Sequence, residues 1–305
     1  MKKILNLVIV ILIITSCQKQ KVKLELNLIK NETYLQKFNS DMMITETVNG
    51  QPMDIKMTIG GTMSYKVINI LDSIYNMDVT YKVLFLKMNL QGRDIEYSSE
   101  KKDTNDIFSN ILGLLKDKSI NMNISKAGRI KDLKGIDSLF SGIFEMFPNL
   151  PEDKKQQIKE QMKQSFGEKS FKGNLQMTTS IFPETTVSIG DKWKINSVLE
   201  STMKANLETT YELKDIKDSC YIITGTSTLN TNKNGKDFEM SDMKIKYDFN
   251  GTIVSELKID KKTGWIIEGK VNQEMSGNAK VVDSEKTPGG MNIPMKMKNV
   301  MTFTR

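Results

Sequence analysis

The sequence predicts a mainly β protein of α+β type: one or two long, curved antiparallel sheets built from two related meanders, with a helical insert covering one face. Three observations carry this. Polar and apolar residues alternate with period two over most of the chain, helical periodicity is confined to the middle, and four short patterns occur twice in the same order.

The chain opens with Lys2 and Lys3 and an apolar run from Ile4 to Ile14 interrupted by Asn6. Such a run fits the hydrophobic region of a secretion signal and is well short of the roughly 20 residues that span a bilayer. It ends in Ile14-Thr15-Ser16-Cys17, which resembles the lipobox of bacterial lipoproteins. That resemblance implies cleavage of residues 1–16 and a diacylglycerol thioether on Cys17. Two or three acyl chains hold a protein on a membrane where one, at about 0.8 kcal/mol per buried CH₂, binds marginally. Residues 17–23, with Lys19, Lys21 and Lys23 and no acid, read as a basic tether.

Residues 24–134 read as the first meander. From Met53 to Val67 the odd positions are Met53, Ile55, Met57, Ile59, Gly61, Met63, Tyr65 and Val67, and the even ones are polar or glycine. The same alternation runs through Tyr75, Met77, Val79, Tyr81, Val83 and Phe85. These are strands with one apolar face and one wet face. Asn49-Gly50 supplies turn residues that tolerate positive φ. A helix capped by Asp103 or Thr104 runs to about Lys116, with Ile107, Ile111, Leu114 and Leu115 on one face.

Residues 135–170 read as the helical insert. Leu139, Phe140, Ile143 and Phe147 recur at helical spacing from Ile136 until Pro148 stops them. A second helix starts at Pro151-Glu152-Asp153 and closes at Gly167. Residues 171–305 read as the second meander. Alternation returns at Leu199, Met203, Ala205, Leu207, Tyr211 and Leu213, then at Met243, Ile245, Tyr247 and Phe249, and again around Trp265, Ile267, Val271 and Met275.

The duplicated patterns tie the meanders together. Asn31-Glu32-Thr33-Tyr34 answers Gly190-Asp191-Lys192-Trp193. Tyr65, Val67, Ile70, Asp72, Ser73, Tyr75 and Thr80 answer Tyr211, Leu213, Ile216, Asp218, Ser219, Tyr221 and Thr226 at identical spacing. Gly92-Arg93-Asp94-Ile95-Glu96 answers Gly235-Lys236-Asp237-Phe238-Glu239, and the turn before Ile130 answers the one before Ile266 with one residue inserted. These positions set register and turn geometry, and are poor candidates for catalysis.

The chemistry that remains is narrow. There is no histidine, which removes imidazole bases, Ser-His-Asp sets and the commonest zinc ligand. Phosphate-binding loops and the Gly-x-Ser-x-Gly turn are missing from the sequence, so no catalytic residue, cofactor or metal is expected. Asp41 with Glu46, and Glu208 with Glu212, are the carboxylate pairs available to a hydrolase. Cys220 is the second of two cysteines and reads as a buried small hydrophobe. The net charge of +7 is spread along the chain, unlike a nucleic-acid footprint. Twenty methionines are the compositional oddity. They fill the core of a large sheet, or line an adaptable apolar cavity whose wall includes Met53, Met57, Met63, Tyr65, Met77, Tyr81, Met203, Tyr211, Met243 and Tyr247.

The lipobox cysteine, Asn31-Glu32-Thr33-Tyr34, Ile189-Gly190-Asp191-Lys192-Trp193 and the Lys-Ala-Gly-Arg-Ile and Lys-Thr-Gly-Trp-Ile turns resemble an uncharacterised family of Bacteroidota outer-membrane lipoproteins built on a domain of unknown function. The resemblance implies a protein held by acyl chains on the periplasmic face of the outer membrane. The expected role is non-enzymatic binding of a lipid or other hydrophobic ligand, or of an envelope protein partner, through the sheet. A purely structural lipoprotein and a carboxylate-only hydrolase are the alternatives.

Overall fold

The computed structural model describes residues 20–305 except 49, 91, 104, 147, 201–203, 232–237, 241–242 and 285–286. The expected signal, Cys17, the start of the tether and Met203 lie outside the described residues.

The alternating segments form strands. The first group comprises β1 (Thr33–Val48), β2 (Gln51–Leu71), β3 (Ile74–Leu90), β4 (Arg93–Ser98), β5 (Ser119–Ser125) and β6 (Ile130–Lys134). The second comprises β7 (Lys192–Glu200), β8 (Lys204–Ile216), β9 (Cys220–Thr231), β10 (Phe238–Met240), β11 (Met243–Asp260), β12 (Ile266–Val281) and β13 (Met291–Thr304). All 13 join one sheet in the order β6-β5-β3-β2-β1-β13-β12-β11-β9-β8-β7, with β4 on β3 and β10 on β11. Every pairing between strands is antiparallel.

One five-strand plan occurs twice in this order. The run 6-5-3-2-1 matches 12-11-9-8-7, and β13 knits β1 to β12. Both runs carry a register shift at the same place, Val67/Asn69 in one and Leu213/Asp215 in the other. A second matching pair of shifts lies at Asn123/Ile124 and Lys258/Ile259. The backbone N–H of Asn31 donates to Val67 O at 2.8 Å, as that of Gly190 does to Leu213 O at 2.8 Å, both from positive φ. The repetition fails at one hairpin. Asp72 and Ser73 both take positive φ, whereas Asp218 and Ser219 do not; there Lys217 N–H closes the turn on Cys220 O at 2.9 Å.

Between the two runs lie α1 (Ile107–Leu115), α2 (Ile136–Phe140), a 3-10 turn (Ser141–Met146), α3 (Glu152–Phe166) and α4 (Glu168–Thr179). The start of α1 differs from expectation. Asp103 accepts from Asn105 N–H at 3.0 Å, one turn too early to cap. Asp106 takes the cap instead, accepting from Ser109 N–H at 3.0 Å and Lys101 Nζ at 2.6 Å. Those bonds hold its carboxyl down to about 2, the lysine bond contributing most. The 136–147 helix turns 3-10 at Ser141. Helix α4 was not expected, because Gly167 and Gly173 interrupt the pattern.

This helix reveals how the sheet is shaped. The edge strands β6 and β7 are ten spacings apart along the sheet path, roughly 48 Å at about 4.8 Å per spacing. Yet α4, of 12 residues and so about 18 Å long, packs on both. On the β6 side Lys172 Nζ donates to Lys131 O at 3.3 Å, and Ser180 Oγ donates to Gly128 O at 3.1 Å. On the β7 side Trp193 Nε1 donates to Ile181 O at 2.9 Å, and Arg129 of the β5–β6 turn reaches Glu184, in the segment after α4, at 2.9 Å. The sheet is rolled into a barrel-like shell whose seam is closed by α4 and the segment after it.

The segment 22–28 closes one end. Leu24, Leu26 and Leu28 are buried, Val22 pairs with Val187, and Leu26 and Asn27 donate their N–H groups to Lys126 O and Thr263 O at 2.7 and 2.8 Å. Tyr75 Oη donates to Leu26 O at 2.9 Å. Above this floor Tyr34, Tyr65 and Trp265 pack together with centroids 5.0–5.2 Å apart. The long hairpins β1–β2 and β12–β13 extend to the opposite end.

Candidate ligand-binding cavity

Strand alternation gives the shell two chemically different surfaces. Along β12 the outward positions are Glu268, Lys270, Asn272, Glu274, Ser276, Asn278 and Lys280, whereas Gly269, Val271, Met275, Ala279 and Val281 face inward. Ion pairs such as Lys258–Glu268 at 2.7 Å and Lys194–Glu208 at 2.7 Å decorate the outside. Inside, β13 contributes Met295, Met297, Asn299, Met301 and Phe303, opposite Glu46, Ile44, Met42, Ser40 and Phe38 of β1.

The inner surface is packed at the floor and leaves space under α4. There a cavity of about 110 Å³ lies between the C-terminal turns of the helix and strands β7, β8, β9, β11, β12 and β13. Its apolar wall includes Met177, Leu207, Tyr211, Ile253, Val271 and Met301. The rest is a belt of uncharged polar side chains. Thr209 and Ser227 share a hydrogen bond of 2.8 Å, and Ser40 Oγ donates to Asn299 Oδ1 at 2.8 Å. The amide of Gln273 meets the thioether of Met275 at 2.9 Å, a weak acceptor. Among the described residues, no Lys, Arg, Asp or Glu lines this cavity.

A smaller void of about 20 Å³ sits on the other side of the helix end, sharing Thr178 with the first and bordered by Gln36, Tyr65 and Trp265. Among the described residues, two buried side-chain nitrogens have no acceptor, Gln36 Nε2 and Trp265 Nε1, and both belong to this wall. Buried donors without partners are rare enough to need a reason.

The ten residues expected around a cavity separate by position. Met63, Tyr65 and Met77 are buried in the packed core. Tyr211 lines the 110 Å³ cavity, and Tyr65 the small void. Tyr81, half-buried, meets Phe171 of α4 edge-on at 6.2 Å. Met53, Met57 and Tyr247 are half-buried on the inner rows toward the hairpin end. Met203 lies outside the described residues, and so does the side chain of Met243. The belt residues Thr209, Ser227, Gln273 and Asn299 were missed. Their signal was present: each is polar but falls in the apolar phase of its strand, as in Leu207-x-Thr209-x-Tyr211 and Met297-x-Asn299-x-Met301.

The carboxylate pairs do not assemble a hydrolase. Asp41 faces outward, held by Asn39 and Thr58 at 2.8 and 2.7 Å, while Glu46 belongs to the inner row opposite Met295. Glu208 and Glu212 are outward partners of Lys194 and Lys192. No cluster of three metal-ligating side chains occurs among the described residues. Cys220 is buried and unpaired with another cysteine. A larger depression of about 590 Å³ on the outer side is bordered by Lys56, Lys87, Asp94, Glu96 and Lys298. Met43, Met88, Ile95 and Val300 also border this open trough, in which Lys87 and Glu96 pair at 3.1 Å.

Burial also shows in the tyrosines. Desolvation pushes Tyr211 up to about 12, against a smaller lowering by its bond to Thr209. It raises Tyr65 and Tyr81 further, with Tyr75 and Tyr247 moving the same way. A folded value above the unfolded value of about 10 contributes stability that is fully present below that value and lost as pH rises through the folded one. Stability is therefore expected to hold to about pH 10 and to fall steeply between about 10 and 12. Tyrosinate absorbance should rise together with loss of circular dichroism. Ionisation of these tyrosines near pH 10 with the fold intact would contradict their burial.

A family model described as a family of unknown function, DUF6263, matches residues 72–266. No curated protein matches the sequence. Among solved structures, the chain is similar to a lipovitellin structure reported for its lipid–protein interactions, with 12% identity and TM-score 0.46, over 90% of this chain and 25% of that one. The chain thus spans about a quarter of the lipovitellin chain. It is also similar to an outer membrane channel from Pseudomonas putida F1, with 10% identity and TM-score 0.27, over 92% of this chain and 97% of the channel. Likenesses at these scores carry no argument about function.

Proposed function

The chain belongs to the DUF6263 family of unknown function, and we propose that it is an acyl-anchored envelope protein that binds a hydrophobic ligand inside its rolled sheet without catalysing a reaction. The observation that carries this reading is the inverted surface: charged outside, methionine-rich inside, with a helix leaning over an internal cavity. An adaptable thioether lining suits an apolar guest of variable shape. The reading without catalysis is supported by the absence of histidine from the sequence and by the separation of the carboxylates described above.

The same surface argues against a membrane-spanning barrel. Such barrels present an apolar band about 25 Å tall to lipid. The outward row of β12 is polar from Glu268 to Lys280, about 40 Å at roughly 3.3 Å per residue. Attachment through acylated Cys17 to the periplasmic face of the outer membrane is the arrangement that fits an outside of this kind.

Native mass spectrometry of protein purified from envelopes without delipidation is expected to show lipid-sized adducts. A fully ligand-free spectrum from folded protein would contradict the proposal. Cys17→Ser is expected to move the protein from the membrane to the soluble fraction; unchanged membrane association would remove the anchor.

A further inference from the structure

The 110 Å³ cavity selects among hydrophobic ligands. In a chain of which 27% is charged, none of the described residues that line it carries a charge. A phosphate or carboxylate placed there would be buried without a cation, which costs far more than the burial of a neutral polar group. A plain hydrocarbon fits no better. It would cover the hydrogen-bonding capacity that Thr209, Ser227 and Asn299 keep beyond their bonds to Ser40 and to each other, and Gln273, whose partner is only a thioether. The unpartnered donors Gln36 Nε2 and Trp265 Nε1 belong to the separate void of about 20 Å³, which has room for one water molecule.

Size sets the pose. About 110 Å³ is below the roughly 300–1,000 Å³ that encloses a whole drug-sized ligand, so the enclosed part is the polar end. Met177, Leu207 and Val271 belong both to this cavity and to the apolar cluster that continues to Met295 and Met297. That cluster carries the apolar surface on from the belt toward the hairpin end.

We propose that the cavity takes a lipid whose polar part is uncharged and oxygen-rich, of the acylglycerol class, with ester or hydroxyl oxygens at the Ser/Thr/Asn/Gln belt and hydrocarbon along the methionine rows. This rests on the hydrophobic-ligand reading above and adds the headgroup chemistry.

The test uses delipidated full-length protein mixed with phosphatidylcholine vesicles that carry labelled dioleoylglycerol or labelled dioleoylphosphatidic acid, which differ only by a phosphate. The label bound to protein is measured after the vesicles are removed by flotation. Dioleoylglycerol is expected to bind at least about tenfold more tightly. The double variant Thr209→Val with Asn299→Leu is expected to erase most of that preference. Ser227→Ala removes only a hydroxyl and is expected to reduce it, which keeps the test open if the double variant fails to fold. Equal binding of the two lipids, or a preference for phosphatidic acid, overturns the headgroup assignment and leaves a hydrophobic site. Binding of neither lipid by folded protein overturns the assignment and the hydrophobic-ligand reading together.

Discussion

Trp265→Ala is expected to cost about 3–5 kcal/mol of stability, the range for deleting a large buried aromatic. Trp265 is 5% exposed and stands at the floor of the shell, between Tyr34 at 5.2 Å and Tyr65 at 5.0 Å. Its removal leaves a hole beside the Tyr34 and Tyr65 rings and adds the loss of two aromatic contacts. Trp193, which answers Tyr34 in the repeat, is half-buried, with its indole N–H bonded to Ile181 O at 2.9 Å. Trp193→Ala should therefore cost less, and should act on the seam and not on the floor. Urea denaturation measures both; a loss below about 1 kcal/mol for Trp265→Ala would mean the floor is not packed as described.

Gly128→Ala is expected to cost about 2–5 kcal/mol, from two separable causes. Gly128 sits at φ +74°, and a Cβ there would lie 1.8 Å from Thr179 O at the end of α4. The clash is with backbone, so the helix end must move and the Ser180–Gly128 bond that closes the seam is lost. Gly92→Ala separates the causes. It has φ +83° with nothing within 4 Å of the new methyl, so it should show the conformational cost alone, about 1 kcal/mol. Equal destabilisation by the two variants would mean that α4 does not press on the β5–β6 turn.

Much of the fold was legible because alternation is a local property. The inward row from Met53 to Val67 follows from the sequence without knowledge of any partner strand. The repeat was legible for a related reason: Asn31 and Gly190 both need positive φ, and Tyr65 and Tyr211 both stand two residues before a register shift. Closure of the shell was not legible. It depends on contacts such as Lys172 with Lys131 and Trp193 with Ile181, made by a helix whose glycines hide it and by the segment that follows it. The cavity was only half legible. Alternation tells which side chains point inward but not whether they meet other side chains, as Met77 does, or open space, as Tyr211 does. The polar belt is hidden because Thr209 and Asn299 interrupt the apolar alternation of their strands instead of extending it.

In the proposed ligand binding, the inner face of the rolled sheet, beneath α4, is the functional surface. Crystallography of the protein with a diacylglycerol brominated at mid-chain tests it most directly. Anomalous bromine peaks are expected among Met177, Leu207, Val271, Met295 and Met297, with the ester oxygens at Thr209, Ser227 and Asn299. Peaks confined to the outer trough beside Lys87 and Glu96, with an interior sealed by protein side chains, would contradict it.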